Sequence, residues 1–142
     1  MTSSSIVTRE LASSDHAAAL ALWEQVEGIE VCEGDLEHEI DLYLRRNPGL
    51  SRVACDGDTI VGAVLCGHDG RRGWIYHLAV RQEYRGRKIA KRLVDECLDG
   101  LRAAGIRRAI ILVAADNPGG REFWLRNGWE ELKGALPMAR DV

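Results

Sequence analysis

Apolar and polar positions change period several times along the chain. Ser5–Glu10 (S-I-V-T-R-E) is β-branched and predicts a first strand. Ser13-Ser14-Asp15 offers helix N-caps, and His16–Val26, rich in Ala and Leu, predicts a helix ending near Gly28. A second helix is expected from Asp35 to Arg46. There Leu36, Ile40, Tyr43 and Leu44 recur with a 3.6-residue period, and Pro48-Gly49 stops it. Leu50–Cys55 and Thr59–Cys66 flank Asp56-Gly57-Asp58, which is the pattern of a hairpin. Gly67–Gly73 is a polar turn, and Gly73–Val80 (G-W-I-Y-H-L-A-V) reads as a fourth strand. From Ile89 the period turns helical, with Ile89, Leu93, Val94, Cys97, Leu98 and Leu101 on one stripe and Gly105 as the stop. Ala109–Ala114 is continuously apolar, which suits a strand covered on both faces. Asp116–Gly120 is a loop, Arg121–Arg126 a short helix, and Asn127-Gly128 its left-handed end. Trp129–Leu132 and Pro137–Ala139 are weaker strand candidates. The predicted order is β-α-α-β-β-β-α-β-α-β, with a possible last strand. Antiparallel strands come early and a β-α-β unit late, so the class is α/β with a mixed sheet and helices on both faces.

Length and charge narrow the function classes. The 142 residues suit one domain, 1–142, with enough chain for a core of its own. Apolar residues at 46% and charged residues at 29% are globular values and argue against a disordered chain. The longest apolar runs fall far short of the ~20 residues a bilayer span needs. Met1–Ser5 is polar and carries no basic-then-apolar leader, so a cytoplasmic protein without a membrane partner is expected. A net charge of −3 argues against a nucleic-acid partner. Cys32, Cys55, Cys66 and Cys97 match no zinc spacing, so no metal and reduced thiols are expected.

The stretch most suggestive of chemistry is Leu78–Ala90, L-A-V-R-Q-E-Y-R-G-R-K-I-A. A strand ends, a basic loop follows, and a helix opens. Between Arg81 and Arg92 stand six basic residues and one acid, Glu83. A helix N-terminus presents unpaired N–H groups and a partial positive charge. With Gly86 and several guanidinium groups added, this makes a phosphate cradle. The dinucleotide fingerprint and the P-loop are both absent from the sequence. A second charge pattern lies upstream. From Glu24 to Asp41 there are eight acids and no Lys or Arg. Such a field attracts a cationic partner, and Glu33 and Glu37 are the acids expected to face it, unless the stretch is simply a solvated face.

R-G-R-K-I-A at 85–90 resembles the Q/R-x-x-G-x-G/A signature of the GNAT superfamily, the acetyl-CoA-dependent N-acetyltransferases. The preceding L-A-V is similar to that family's fourth strand. D-N-P-G-G-R-E-F-W-L-R-N-G-W at 116–129 is similar to its N-x-x-A-x-x-F-Y-x-x-x-G-F segment. The element order fits over nearly the whole chain. The resemblance implies a GNAT-like fold with the fourth and fifth strands splayed to admit a pantetheine arm. It implies backbone contacts to that arm from Leu78 and Val80. It implies a pyrophosphate grip by Arg85, Gly86, Arg87, Lys88, Ile89 and Ala90, and a pantetheine contact from Asn117. It also makes the acidic region 24–41 the wall of the acceptor site.

The sequence departs from the family pattern twice. Lys88 stands where the motif has a central glycine, the residue that lets backbone approach phosphate closely. Phe123-Trp124 stands where the family often has Phe-Tyr, and an indole N–H is no acid near neutral pH. Tyr76 and His77 are the only titratable residues in the fourth strand, which makes them the catalytic candidates, His77 as base. The Leu78 backbone amide is the candidate to polarise the thioester carbonyl. Trp23, Trp74, Trp124 and Trp129 read as core, and Arg71-Arg72 and Arg107-Arg108 as solvated turns. The expected activity is direct transfer of acetyl from acetyl-CoA to a primary amine, small molecule or peptide, by a monomer or homodimer. The alternatives are a non-catalytic acyl-CoA-binding sensor of the same fold and, against the charge, a nucleic-acid module.

Overall fold

A computed structural model describes residues 5–26 and 29–142. Five strands form one sheet in the order of the chain: β1 (Ile6–Glu10), β2 (Arg52–Asp56), β3 (Thr59–His68), β4 (Gly73–Val80) and β5 (Ala109–Ile111). The first four pair antiparallel, and β4 pairs parallel with β5. Helices α1 (His16–Gln25) and α2 (Glu37–Arg46) cover one face. Helix α3 (Ile89–Ala103) covers the other, and α4 (Pro118–Arg126) follows β5.

The cores follow from the alternation of the strands, shifted on β3 by an extra residue at 60–62 where its register against β2 slips. On β3, Val61, Val64 and Cys66 join the α3 side, while Ile60, Ala63 and Leu65 join the α1–α2 side. The apolar stripe of α3 meets the first set, with Ile89, Leu93, Val94, Cys97 and Leu101 buried. Gly73 lets that helix come close, since a Cβ there would sit 2.5 Å from Leu101 Cδ1. On the other face Trp23 of α1 is fully buried with Ala19 and Leu22. Cys55, Cys66 and Cys97 are buried as free thiols, as their apolar surroundings predict.

Several boundaries differ from the sequence reading. Asp15 does not cap α1 with its side chain. Its carboxylate turns back to accept from the Ala12 N–H at 2.8 Å and from Arg9 at 2.6 and 2.9 Å, and Ser13–Asp15 forms a 3-10 turn. Helix α2 starts two residues late. Leu36 is its 60% exposed N-cap, not part of the apolar stripe, and the Glu39 carboxylate serves the N–H groups of Gly34 and Leu36. The expected end of α1 at Gly28 and the acid Glu27 lie outside the described residues, as does most of Met1–Ser5. Strand β5 stops at Ile111, and its residues are half-buried, not covered on both faces. Leu112 beyond it is 62% exposed. Trp129–Leu132 and Pro137–Ala139 adopt no strand, so nothing pairs with the outer edge of β5 among the described residues.

Candidate active site

Strands β4 and β5 are paired only from Gly73–Ala109 to Ile75–Ile111. Beyond that, β4 runs on to Val80 while β5 gives way to an irregular stretch. An open cleft of about 1040 Å³ fills the gap. One wall is β4 from Ile75 to Val80, and the opposite wall is Ile111 to Ala114 with Asn117, Phe123 and Trp124. The edge of β4 that faces β5 has no strand partner there among the described residues, so its backbone groups, apart from the Val80 carbonyl that accepts from Arg85 Nε at 3.4 Å, are available to an extended amide-bearing ligand.

One end of the cleft is the loop before α3. Arg85, Gly86, Lys88, Ile89 and Ala90 line it. Arg87, which the sequence reading placed in the same cradle, lays its guanidinium over the Tyr84 ring at 4.9 Å. Tyr84 in turn donates to the Asp56 carboxylate, which holds the phenol above its usual range. Gly86 has φ +83°, with open space where a Cβ would stand. Lys88, the N-cap of α3, has φ +62° and adopts the left-handed conformation itself. The turn that glycine makes easily is thus made by a lysine, at a cost on the order of 1–2 kcal/mol. The N-terminal amides of the 15-residue α3 therefore open onto a concave, basic surface.

The middle of the cleft is built by an irregularity in β4. Two steps on β3, Ala63 to Leu65, face three steps on β4, Ala79 to Tyr76. The extra residue lies at His77–Leu78, and His77 has φ +54°. A bulge of this kind re-aims side chains. Ile75 and Val80 both belong to the α3-side core, an odd spacing that regular alternation would not allow. By parity with Ile75, His77 would face α3 in a regular strand. The bulge instead lays its ring against Trp23 of α1, with centroids 5.1 Å apart. There His77 Nε2 stands 2.9 Å from Oδ2 of Asp35, a buried residue in the turn before α2. The same oxygen accepts from the Cys32 N–H at 3.1 Å. Tyr76 stacks on Trp74, with centroids 6.1 Å apart and planes 7° from parallel, and burial raises its phenol pKa above the usual 10.

The far wall comes from the acidic segment. Val26, Ile29, Glu30 and Cys32 line the cleft. Glu33 and Glu37 are exposed and lie outside its lining. The segment is not a uniform acidic face, since Asp35 is spent on His77 and Glu39 on the start of α2. Asn117 lines the cleft, and its Oδ1 caps α4 by accepting from Gly120 N–H at 3.1 Å. Trp124 packs edge-on between Phe123 and Trp129, at 5.2 and 5.0 Å. Of the four tryptophans only Trp23 is fully buried; the other three are half-buried. Arg71, Arg72, Arg107 and Arg108 are exposed around a depression of about 210 Å³ at the Gly73 end of β4, opposite the cradle. Among the described residues no cluster of His, Cys, Asp and Glu could hold a metal ion, and no helix is long and apolar enough to cross a membrane.

A parallel strand pair that splays beside a bulged strand and a basic helix N-terminus makes a cleft suited to an extended, amide-bearing ligand with an anionic end. Residues 12–129 match the model of the acetyltransferase (GNAT) family, so this chain is a member of that family and an acetyltransferase. Over 103 residues it is 37% identical to an acetyltransferase of Yersinia pestis (strain Pestoides F), covering 72% of each chain. Two solved structures share the fold. PaiA N-acetyltransferase from Thermoplasma acidophilum, in complex with coenzyme A, matches with a TM-score of 0.75 at 19% identity, covering 89% of this chain and 90% of that one. Ard1 from Thermoplasma volcanium matches with a TM-score of 0.75 at 18% identity, covering 87% and 81%.

Proposed function

We propose that this acetyltransferase moves acetyl from acetyl-CoA to a primary amine by direct attack within a ternary complex. The observation that carries the reading is the continuity of the cleft, from the basic loop at the start of α3, along the unpaired edge of β4, to His77 and Glu30. Acetyl-CoA has matching parts in that order. Arg85, Gly86, Arg87, Lys88, Ile89 and Ala90 would hold its pyrophosphate. The backbone of Leu78 and Val80, with Asn117, would hold the pantetheine arm. The PaiA structure with coenzyme A supports this choice of cosubstrate.

Holding both reactants in line supplies much of the rate. The Leu78 amide polarises the thioester carbonyl. The acceptor loses its ammonium proton to water before it reacts; the neutral nitrogen then forms the new C–N bond, the C–S bond breaks, and the thiolate leaves. His77 takes the proton from the amine. Burial holds the Tyr76 phenol above its usual range, so it keeps its proton at neutral pH and cannot act as base, and Tyr76 or water protonates the departing thiolate. No covalent enzyme intermediate is required, so no Cys acts as nucleophile. Glu30 at the cleft, backed by the field of Glu33 and Glu37, favours an acceptor that is cationic in solution.

Isothermal titration with acetyl-CoA, followed by a thiol-release assay over an amine panel, tests the reading. Arg85→Ala and Arg87→Ala should each weaken binding by about 1.5–3 kcal/mol where the contact is direct. Unchanged affinity in both, with the fold intact, would remove the cradle. Binding without thiol release on any amine would favour the sensor over the enzyme.

A further inference from the structure

We propose that Asp35 is a positioning residue, which holds His77 in the Nε2–H tautomer so that Nδ1 takes the proton of the acceptor amine. This rests on the acetyl-transfer reading above and adds which nitrogen reacts and what aims it. An ionised carboxylate only accepts, so the 2.9 Å contact requires the proton on Nε2. The neutral ring then carries its lone pair on Nδ1. That atom has no hydrogen-bond partner among the described residues and belongs to a side chain that lines the cleft.

Four observations make the pair more than a buried contact. The His77 side chain is 16% exposed and the Asp35 side chain 9%, so water competes little for the bond. Asp35 is itself fixed: its Oδ2 accepts from Cys32 N–H, its own N–H donates to the Cys32 carbonyl at 3.1 Å, and its carbonyl lies 3.2 Å from His16 Nε2. Trp23 packs against the imidazole ring and limits its rotation. Finally, His77 sits in the bulge with a φ of +54°, which costs a non-glycine residue energy, and strain of this kind persists only where surrounding contacts enforce it. When Nδ1 takes the proton, the ring becomes cationic beside the Asp35 carboxylate, which stabilises it. Cys32 and Glu30, in the same segment, line the cleft, so Asp35 also ties the acceptor wall to β4.

Three measurements test this. Ring ¹⁵N resonances of His77 in the free wild-type protein report the tautomer without any turnover. Protonated Nε2 and bare Nδ1 are expected, and Asp35→Asn should lose that preference. A wild-type ring protonated on Nδ1 would overturn the proposal, whatever the substrate proves to be. In steady state, His77→Gln should lower kcat by about 10²–10⁴-fold with the acetyl-CoA KM unchanged. Asp35→Asn, which keeps the shape of the side chain, should lower kcat at least tenfold with the same KM pattern. Adding Asp35→Asn to His77→Gln should then cost little more, because both act through one ring. Additive losses, or a full kcat in Asp35→Asn, would overturn the positioning role. Absence of transfer in the wild type on every amine, with the expected tautomer present, would instead count against the acetyl-transfer reading.

Discussion

Single side chains here are placed by chemistry that residue type alone does not reveal. Asp15 was expected at a helix cap and is instead the hub of a small network, bonded to Arg9 and to the Ala12 N–H. The Arg9 hydrogen bond holds its carboxyl below the usual carboxylate range. A carboxylate whose folded pKa is depressed adds stability above its unfolded pKa of about 3.9, and loses it as pH falls through the folded value. Asp15→Asn should therefore lower unfolding free energy at pH 7 by about 1–3 kcal/mol, and by progressively less below pH 4. Urea melts across pH 2–7 measure this; a deficit that stays constant with pH would assign the loss to packing. Lys88 offers a second case. Lys88→Gly relieves the left-handed strain, so it should leave stability equal or higher, yet weaken acetyl-CoA binding by removing a cation. Tighter binding in that variant would mean the lysine side chain obstructs the cradle.

Elements were more legible than side chains. Gly73–Val80 as a strand and the stripe of α3 stand where period and glycine placed them, because buried periodicity and stop signals are local features. Three things were not local. The bulge in β4 depends on register against β3, and no residue in G-W-I-Y-H-L-A-V announces it. The partnership of His77 with Asp35 spans 42 residues and needs the fold to exist; Asp35 is one of eight acids between Glu24 and Asp41, and nothing in that run singles it out as the partner of His77. The apolar run after Ala109 reads as a covered strand, but only Ala109–Ile111 pairs, at the edge of the sheet, where its residues stay half-buried and Leu112 beyond them is exposed. Packing at this scale can be tested at Gly73, where Leu101 is buried and has little room to move. Gly73→Ala should cost about 1–3 kcal/mol by overpacking. An unchanged denaturation midpoint would mean that α3 can shift away from the sheet at no cost. Trp124 is half-buried on α4, so Trp124→Ala should cost less than the 3–5 kcal/mol of a fully buried ring. Trp124→Phe should leave turnover within a few-fold, and its abolition with acetyl-CoA binding intact would give the indole N–H a part in the chemistry.

At the scale of the molecule, a chain with net charge −3 separates its charges along one cleft. The basic loop before α3 stands at one end and the acidic segment before α2 at the other. This polarity suits an anionic cosubstrate and a cationic acceptor arriving at different mouths. Replacing Glu30, Glu33 and Glu37 together by Gln should raise the acceptor KM more than the acetyl-CoA KM, and the difference should shrink with added salt. Equal effects on both substrates would reduce the acidic stretch to a solvated surface. The central claim is that the gap between β4 and β5 is the acetyl-CoA site and that it ends beside His77. A crystal structure with coenzyme A tests it most directly. The account predicts pyrophosphate on the backbone of 85–90, the pantetheine arm bonded to β4 beyond Ile75, and the sulfur within reach of His77 Nδ1. Coenzyme A bound elsewhere, or in this cleft with its sulfur directed away from His77, would contradict it.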